Sequence, residues 1–390
     1  MVLLRYVLSN LADMIGLTII LLVQAAGAFW ILRVPGTRWP RWARRGVVAL
    51  AAISALTTVL AFALRAHRVM RHVSPWWYGW GRGLMLAWAL FTMLFLVAFL
   101  TSHLLPRARP EFSPARRNLL RAAHAALFTA PAAAIGYGVF IERLDLRLRE
   151  ENIAIPNLHP DLEGLRIVQL TDIHLSPFLS ARDLDRAVAM ANETRAHLAL
   201  VTGDLISTAA DPLDECLDRL RYLRAGAGIY GCLGNHERYA GVEDYVEKRG
   251  ADLGMRFLRQ RAETLRFGGA VINLAGVDYQ RMHSHYLSGA GQLIAPGALN
   301  VLMSHNPDVF PAAVKQGWDF TISGHTHGGQ VRVEILDASL SIATFFTRYI
   351  DGIYRKDGKT IFVSRGIGTI GAPIRLACAP EVALLKLCRA

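Results

Sequence analysis

GLRIVQLTDIHL, residues 164–175, is the stretch that decides how the second half of this chain folds. Leu165, Ile167, Val168 and Leu170 crowd into six residues, and the run then gives way at once to Thr171, Asp172 and His174. A short apolar run closed by polar residues reads as a strand buried on both faces, as in a parallel sheet. Here the strand empties into two side chains suited to metal ligation. One such strand decides little, but the pattern recurs. LALVT leads to Gly203-Asp204, GIYGCL to Gly234-Asn235-His236-Glu237, LNVLMS to His305-Asn306-Pro307, and DFTIS to Gly324-His325-Thr326-His327.

Between these strands, ARDLDRAVAMANETRA and DECLDRLRYLRA carry apolar residues at helical spacing. AVINLAGV, TIFVSR and VALLKL read as further strands, and LDLRLREENIAIPNL as one or two more. The implied unit is one mixed α/β domain over residues 141–390, within the size of a single large domain. In open α/β architectures ligands bind beyond the carboxyl ends of the strands, so the five polar strand ends are expected to converge. Taken singly, a Gly-Asp pair is ordinarily a turn, and a lone histidine after a strand is ordinarily a packed side chain. Five coincidences at equivalent positions make that reading untenable. Seven of the groups offer oxygen or nitrogen and none is a thiolate, which favours manganese, iron or zinc over copper(I) or iron–sulfur chemistry. Seven ligands exceed one ion that leaves room for substrate; two divalent ions sharing a carboxylate fit the count. The cysteines, Cys216, Cys232, Cys378 and Cys388, form no CxxC pair, and Cys232 reads as a small buried side chain.

DIH, GD, GNHE, SH and GHTHGGQ, in that order, resemble the calcineurin-like metallophosphoesterase superfamily. A membrane anchor followed by GLRIVQLTDIHL and ending in SRGIGT…PIRLACAPEVALLKL is similar to its membrane-associated bacterial branch, with phosphodiesterase-type and UDP-2,3-diacylglucosamine pyrophosphatase-like members. The resemblance implies a four-layer α/β/β/α sandwich with a dinuclear centre at one end. By position, Asp172, His174 and His327 resemble the ligands of the first metal, and Asn235, His305 and His325 those of the second. Asp204 matches the bridging carboxylate, and His236 the histidine that contacts substrate phosphate without binding metal. The implied chemistry is hydrolysis of phosphoester or pyrophosphate bonds by a hydroxide held between the metals, on a phosphorylated small molecule or a lipid or envelope-precursor substrate. Glu237 is expected to support the ligands at most; Asp278 reads as a pocket wall or a turn, and Arg365 and Arg375 as ion pairs within the domain, with substrate phosphate the alternative partner of either. His283 and His285 read as a surface loop over the pocket.

Residues 1–140 obey different physics. The chain is 53% hydrophobic and 19% charged yet carries a net charge of +12. Four apolar stretches, about 14–32, 46–64, 84–101 and 122–140, each approach the roughly 20 residues that cross a bilayer as a helix. An all-α transmembrane region of about four helices therefore precedes the α/β domain. Only Arg5 precedes the first stretch and basic residues cluster after it, so it reads as an anchor rather than a cleaved signal. Arg33, Arg38, Arg41, Arg44 and Arg45, with Arg107, Arg109, Arg116, Arg117 and Arg121, give ten charges on one side. Arg5, Arg65, Arg68, Arg71, Arg82, Arg143, Arg147 and Arg149 give eight on the other. The positive-inside rule then favours a multi-pass inner-membrane protein with its catalytic domain outside the cytoplasm. PWWYGW, residues 75–80, fits an interfacial aromatic belt. Because much of the basic excess flanks these stretches, nucleic acid is not an expected partner. The competing function is a transporter or sensor with a non-catalytic metal domain, which the scarcity of ionisable residues in the spans disfavours; Asp13 and His124 are the notable cases.

Overall fold

The computed structural model describes residues 11–33, 40–63, 74–102, 112–281, 285–335 and 338–390. Arg5, Arg38, Arg65, Arg68, Arg71, Arg107, Arg109 and His283 lie outside the described residues. Two compact units emerge, Met1–Val139 with Gly371–Pro373, and Phe140–Ile370 with Ile374–Ala390.

Among the described residues the first unit holds four helices, α1 (Leu11–Arg33), α2 (Arg41–Ala63), α3 (Pro75–Ser102) and α4 (Pro114–Phe140). Three of them contain stretches long and apolar enough to cross a membrane, Arg41–Leu60, Trp76–Ser102 and one beginning at Pro114; the apolar part of α1 is shorter, Leu17–Arg33. Their burial is inverted relative to a water-soluble bundle. Leu22, Ile53, Leu56, Leu84, Val97 and Leu119 are exposed, whereas Gln24, Ser54 and Thr58 are buried. The Gln24 amide donates to Thr58 Oγ1 at 3.2 Å and Thr92 Oγ1 at 3.0 Å, and Trp88 Nε1 donates to Ser54 Oγ at 3.2 Å. Apolar outside and hydrogen-bonded polar groups inside is how helices associate in hydrocarbon. PWWYGW forms the first turns of α3, with Trp76 and Trp77 exposed and packed edge to face.

The second unit is built on two six-stranded sheets. The first contains β1 (Arg147–Ile155), β2 (Arg166–Leu170), β3 (Leu198–Thr202), β4 (Ile229–Cys232), β5 (Met255–Phe257) and β14 (Glu381–Arg389), in the order β1-β14-β2-β3-β4-β5. The second contains β6 (Arg261–Phe267), β7 (Ala270–Gly276), β8 (Leu299–Met303), β9 (Phe320–Ser323), β12 (Gly352–Lys356) and β13 (Lys359–Val363), in the order β12-β13-β9-β8-β7-β6. A small hairpin pairs β10 (Arg332–Ile335) with β11 (Ala338–Ser341). The strands β2, β3 and β4 run parallel, as do β7, β8 and β9.

Period-two alternation divides each strand between two cores. Ile167, Leu198, Leu200 and Leu385 meet Ile272, Val301, Phe320 and Phe362 between the sheets. Val168, Leu170, Ala199 and Val201 face the other way, against Leu184, Ala187 and Val188 of α5 (Ala181–Glu193) and Cys216, Leu217 and Leu220 of α6 (Leu213–Leu220). Behind the second sheet, Leu302 packs with Val309, Ala313 and Trp318 around α9 (Phe310–Gln316). The result is the four-layer sandwich, helices, sheet, sheet, helices. Ser180 and Asp183 close a capping box at the start of α5. Two short helices, α7 (Asn235–Ala240) and α8 (Glu243–Asp252), follow β4. Sequence reading passed over α7, α8 and α9, whose brevity leaves little periodicity to detect, and over β6, whose Arg, Glu and Thr mask its alternation.

Candidate metal centre

Every strand that sequence reading singled out, β2, β3, β4, β8 and β9, ends at one edge of the sandwich, and each hands its chain to a tight turn. Asp172, His174, Asp204, His325 and His327 all take positive φ, between 47° and 74°. Non-glycine residues enter this region rarely, at a cost of order 1–3 kcal/mol each, and the surrounding structure has to hold them there. Gly203 (φ 92°) makes room for the second turn, since a Cβ on it would stand 2.5 Å from Gly234 N and 2.9 Å from His305 Nδ1. In the last turn Gly328 and Gly329 also take positive φ, whereas Gly324 is needed for close approach: a side chain there would strike the Asp172 carboxylate.

The turns bring six of the seven side chains into two clusters of three. Asp172, His174 and His327 form one, with His327 Nε2 3.1 Å from His174 Nε2 and 3.3 Å from Asp172 Oδ1. Asp204, His305 and His325 form the other, with His305 Nε2 3.0 Å from Asp204 Oδ2 and 3.2 Å from His325 Nδ1. Asp204 Oδ2 also lies 3.6 Å from His174 Nε2, so one carboxylate reaches both groups. Asn235 opens α7 beside them, and its side-chain oxygen is buried without a donor. His327 Nδ1 is likewise buried without a partner. A buried amide oxygen with no donor costs of order 1–3 kcal/mol, and a cation ligand is the role that offsets it. The donor set therefore fits hard-to-borderline divalent ions.

Groups behind the ligands fix their orientation. His305 Nδ1 donates to Thr202 O at 2.8 Å, which turns Nε2 toward Asp204. His174 Nδ1 meets Ser207 Oγ at 3.0 Å, and the Ser207 carbonyl accepts from His236 Nδ1 at 2.6 Å. The backbone N–H of His325 donates to both Asp172 oxygens at 3.0 Å. Burial, reinforced by neighbouring imidazoles, lowers the pKa values of His174 and His325 to about 3 and holds that of His327 well below the usual histidine value. These three rings are neutral, the form that binds metal. Burial acts on His305 too, but the Asp204 and Asp172 carboxylates overcome it and raise its pKa to about 10. Burial likewise pushes Asp204 upward, and the facing His305 and His236 outweigh it, holding Asp204 well below the usual carboxylate range. For Asp172 burial prevails, giving about 6.

Residues 165–329, which contain all eight predicted positions, match the family profile described as calcineurin-like phosphoesterase. The second unit carries a calcineurin-like metallophosphoesterase domain. The chain is 26% identical over 279 residues to the "Uncharacterized metallophosphoesterase YkuE" of Bacillus subtilis, covering 70% of this chain and 97% of the relative. It is 28% identical over 295 residues to "Phosphodiesterase YaeI" of Escherichia coli, covering 70% and 98%. It is also 29% identical over 300 residues to "Transmembrane protein with metallophosphoesterase domain" of Danio rerio, covering 73% and 67%.

Within the metallophosphoesterase domain the remaining polar residues take definite places. Glu237 is fully buried and clamps two ligand loops together, accepting from Asp204 N (2.9 Å), Leu205 N (2.7 Å) and Gly234 N (2.8 Å). Burial and the nearby Asp204 raise its pKa, against the pull of those N–H groups. Glu237→Gln replaces one acceptor oxygen with a donor facing backbone donors. The expected outcome is a roughly 10–100-fold weaker metal affinity, measured by titration, with a lowered melting temperature. Asp278 is held by Arg259 through two hydrogen bonds of 2.8 and 3.2 Å, and Arg365 pairs with Asp351 at 2.8 Å.

Arg375 departs from the expected ion pair. It is fully buried and donates to the carbonyls of Arg365, Gly366, Gly368 and Cys378, tying down the segment whose Gly368 N bonds Asp172 O at 2.7 Å. The residue braces the Asp172 turn from behind. His285 is exposed, as a surface loop requires. Two aromatic neighbours escaped sequence reading. Tyr279 stacks 5.6 Å from His325 and 6.3 Å from His305, and Tyr239 lies 5.9 Å from His236. A tyrosine after a strand carries no signal of a metal site, so only the fold reveals them.

Proposed function

We propose that the chain is a membrane-anchored phosphoester hydrolase whose second unit holds two divalent metals. Asp172, His174 and His327 take the first, Asn235, His305 and His325 the second, and Asp204 bridges. The observation that carries this reading is Asp204 itself, a buried carboxylate whose Oδ2 lies 3.0 Å from His305 and 3.6 Å from His174. Two cations bound there supply charge neutralisation for the phosphate oxygens and acidify water for attack. The chain's own residues do the rest. The Ser207 carbonyl accepts a hydrogen bond from His236 Nδ1, which leaves Nε2 as the atom that exchanges a proton with the leaving oxygen. Tyr239 and Tyr279 form an aromatic side to the site.

The phosphodiesterase name of the Escherichia coli relative supports a diester substrate, and the transmembrane name of the Danio rerio relative supports anchoring. Against a transporter stands the character of the polar groups buried in the four helices among the described side chains, Gln24, Ser54 and Thr58, all uncharged. His124 satisfies itself on the Leu120 carbonyl at 2.8 Å within its own helix. The test uses the full chain in detergent, loaded with manganese and assayed on bis(p-nitrophenyl) phosphate and p-nitrophenyl phosphate. Turnover of the diester is expected; two bound metals with no hydrolysis of either compound would sink the enzyme reading.

A further inference from the structure

Residues 341–350 join β11 to the turn before β12, and they are tethered to the metal site at three points. Ser341 packs on Gly329, where an added Cβ would stand 2.6 Å from Ser341 Cβ. Thr326, between the two ligand histidines, donates its hydroxyl to Ile350 O at 2.5 Å. Thr347 donates to Asp308 Oδ1 at 2.5 Å, three residues beyond His305. The loop is ordered within itself as well: Ile342–Phe345 is a 3-10 turn, and Phe346 N and Thr347 N both bond Ala343 O at 3.0 Å. Tyr349 is turned inward against Phe310 and Tyr354. Against that order, Phe345 is 85% exposed and Phe346 55% exposed.

Two adjacent phenylalanines held outward by a hydrogen-bonded turn are costly in water and mark a contact surface. Three observations say what covers them. The stretch Ala338–Ile350 contains Arg348 and no acidic residue, the aromatic-plus-basic composition that partitions to a lipid interface. The same chain carries helices long and apolar enough to enter a bilayer. The link from α4 to β1 is short and packed into the domain, with Glu142 accepting from Ala377 N and Cys378 N at 3.0 and 2.8 Å. A chain that carries such helices keeps a lipid surface available to this domain.

We propose that the 341–350 loop is a membrane-docking lip, Phe345 and Phe346 entering the lipid interface beside the metal site. The site then draws its phosphoesters from membrane lipids. The substrate half of this rests on the hydrolase reading above; the docking half does not.

Both halves are tested on the full chain reconstituted in phosphatidylethanolamine–phosphatidylglycerol vesicles. An NBD fluorophore is placed at Phe345→Cys, with Arg224→Cys on the loop after α6 as the exposed control, both in a Cys388→Ser background. The Phe345→Cys label is expected to be quenched by nitroxide-bearing lipids and shielded from iodide, and the control to show the reverse. A label as open to iodide as the control, or one shielded from both quenchers, overturns docking; the second result would mean that protein covers the loop. In the activity arm, the F345S/F346S variant is expected to lose at least roughly tenfold in kcat/KM on a phosphodiester lipid in the vesicles. Its turnover of bis(p-nitrophenyl) phosphate is expected to stay unchanged. Equal loss on both substrates overturns the lip. A parent chain inert toward both overturns the hydrolase reading, and the quenching result still decides docking.

Discussion

Asp204→Ala is expected to eliminate turnover and to cut metal content from two ions per chain to one or none. The residue is buried, its Oδ1 accepts the His236 backbone N–H at 2.9 Å, and its Oδ2 faces an imidazole from each cluster. Under the bridging proposal, alanine would remove one ligand from two ions at once, and with it the charge that offsets their mutual repulsion. Loss of a group that merely positions a ligand costs roughly 10–100-fold, and a shared ligand has to exceed that. The fold has no comparable stake in the side chain. The Asp204 turn is held by Glu237 through the backbone N–H groups of Asp204 and Leu205, which alanine leaves in place. Metal content by elemental analysis, turnover, and melting of the metal-free protein are the three readouts. Asp204→Asn, equal in shape but uncharged, separates charge from geometry and is expected to resemble alanine in metal content. Two ions per chain with turnover within tenfold of the parent would end the bridging assignment.

Much of this site was legible because strand and ligand sit next to each other in the chain. Leu165 to Leu170 predicts a strand by apolarity alone, and Asp172 and His174 follow it within four residues. The same logic exposed Asp204, Asn235, His305, His325 and His327. What stayed hidden acts through contacts that no local pattern encodes. Ser207 serves His174 with its hydroxyl and His236 with its carbonyl, yet in sequence it is an ordinary loop serine. Arg375 was expected to seek a carboxylate; it found five carbonyl hydrogen bonds inside a buried turn, an arrangement that depends on how residues 365–378 coil. Glu237 was read as a supporting residue because adjacent side chains diverge, and the divergence is what lets His236 face the site while Glu237 reaches the Asp204 backbone. In the helical unit, Gln24, Thr58 and Thr92 are isolated polar letters in apolar runs, and only the packing shows them to be one hydrogen-bonded group.

His236→Ala separates catalysis from metal holding. The ring packs edge to face on His174 at 4.7 Å, and His236 lies close enough to Asp204 and His174 to form a third cluster of ligand atoms. Two roles are therefore open to it by distance alone. Its Nδ1 is committed to the Ser207 carbonyl, and under the proposed assignment seven other side chains hold the metals, which leaves His236 to the substrate. The expected result is unchanged metal content and a fall in kcat of about 10²–10⁴, the range of a lost general acid. The size of the fall should follow the leaving group. A p-nitrophenolate departs without a proton and should lose least, whereas an alkyl phosphodiester, whose alkoxide needs protonation, should lose most. If His236 were a ligand instead, metal content would drop and both substrates would lose rate alike. The ratio of the two losses, rather than either one, therefore decides between proton transfer and coordination.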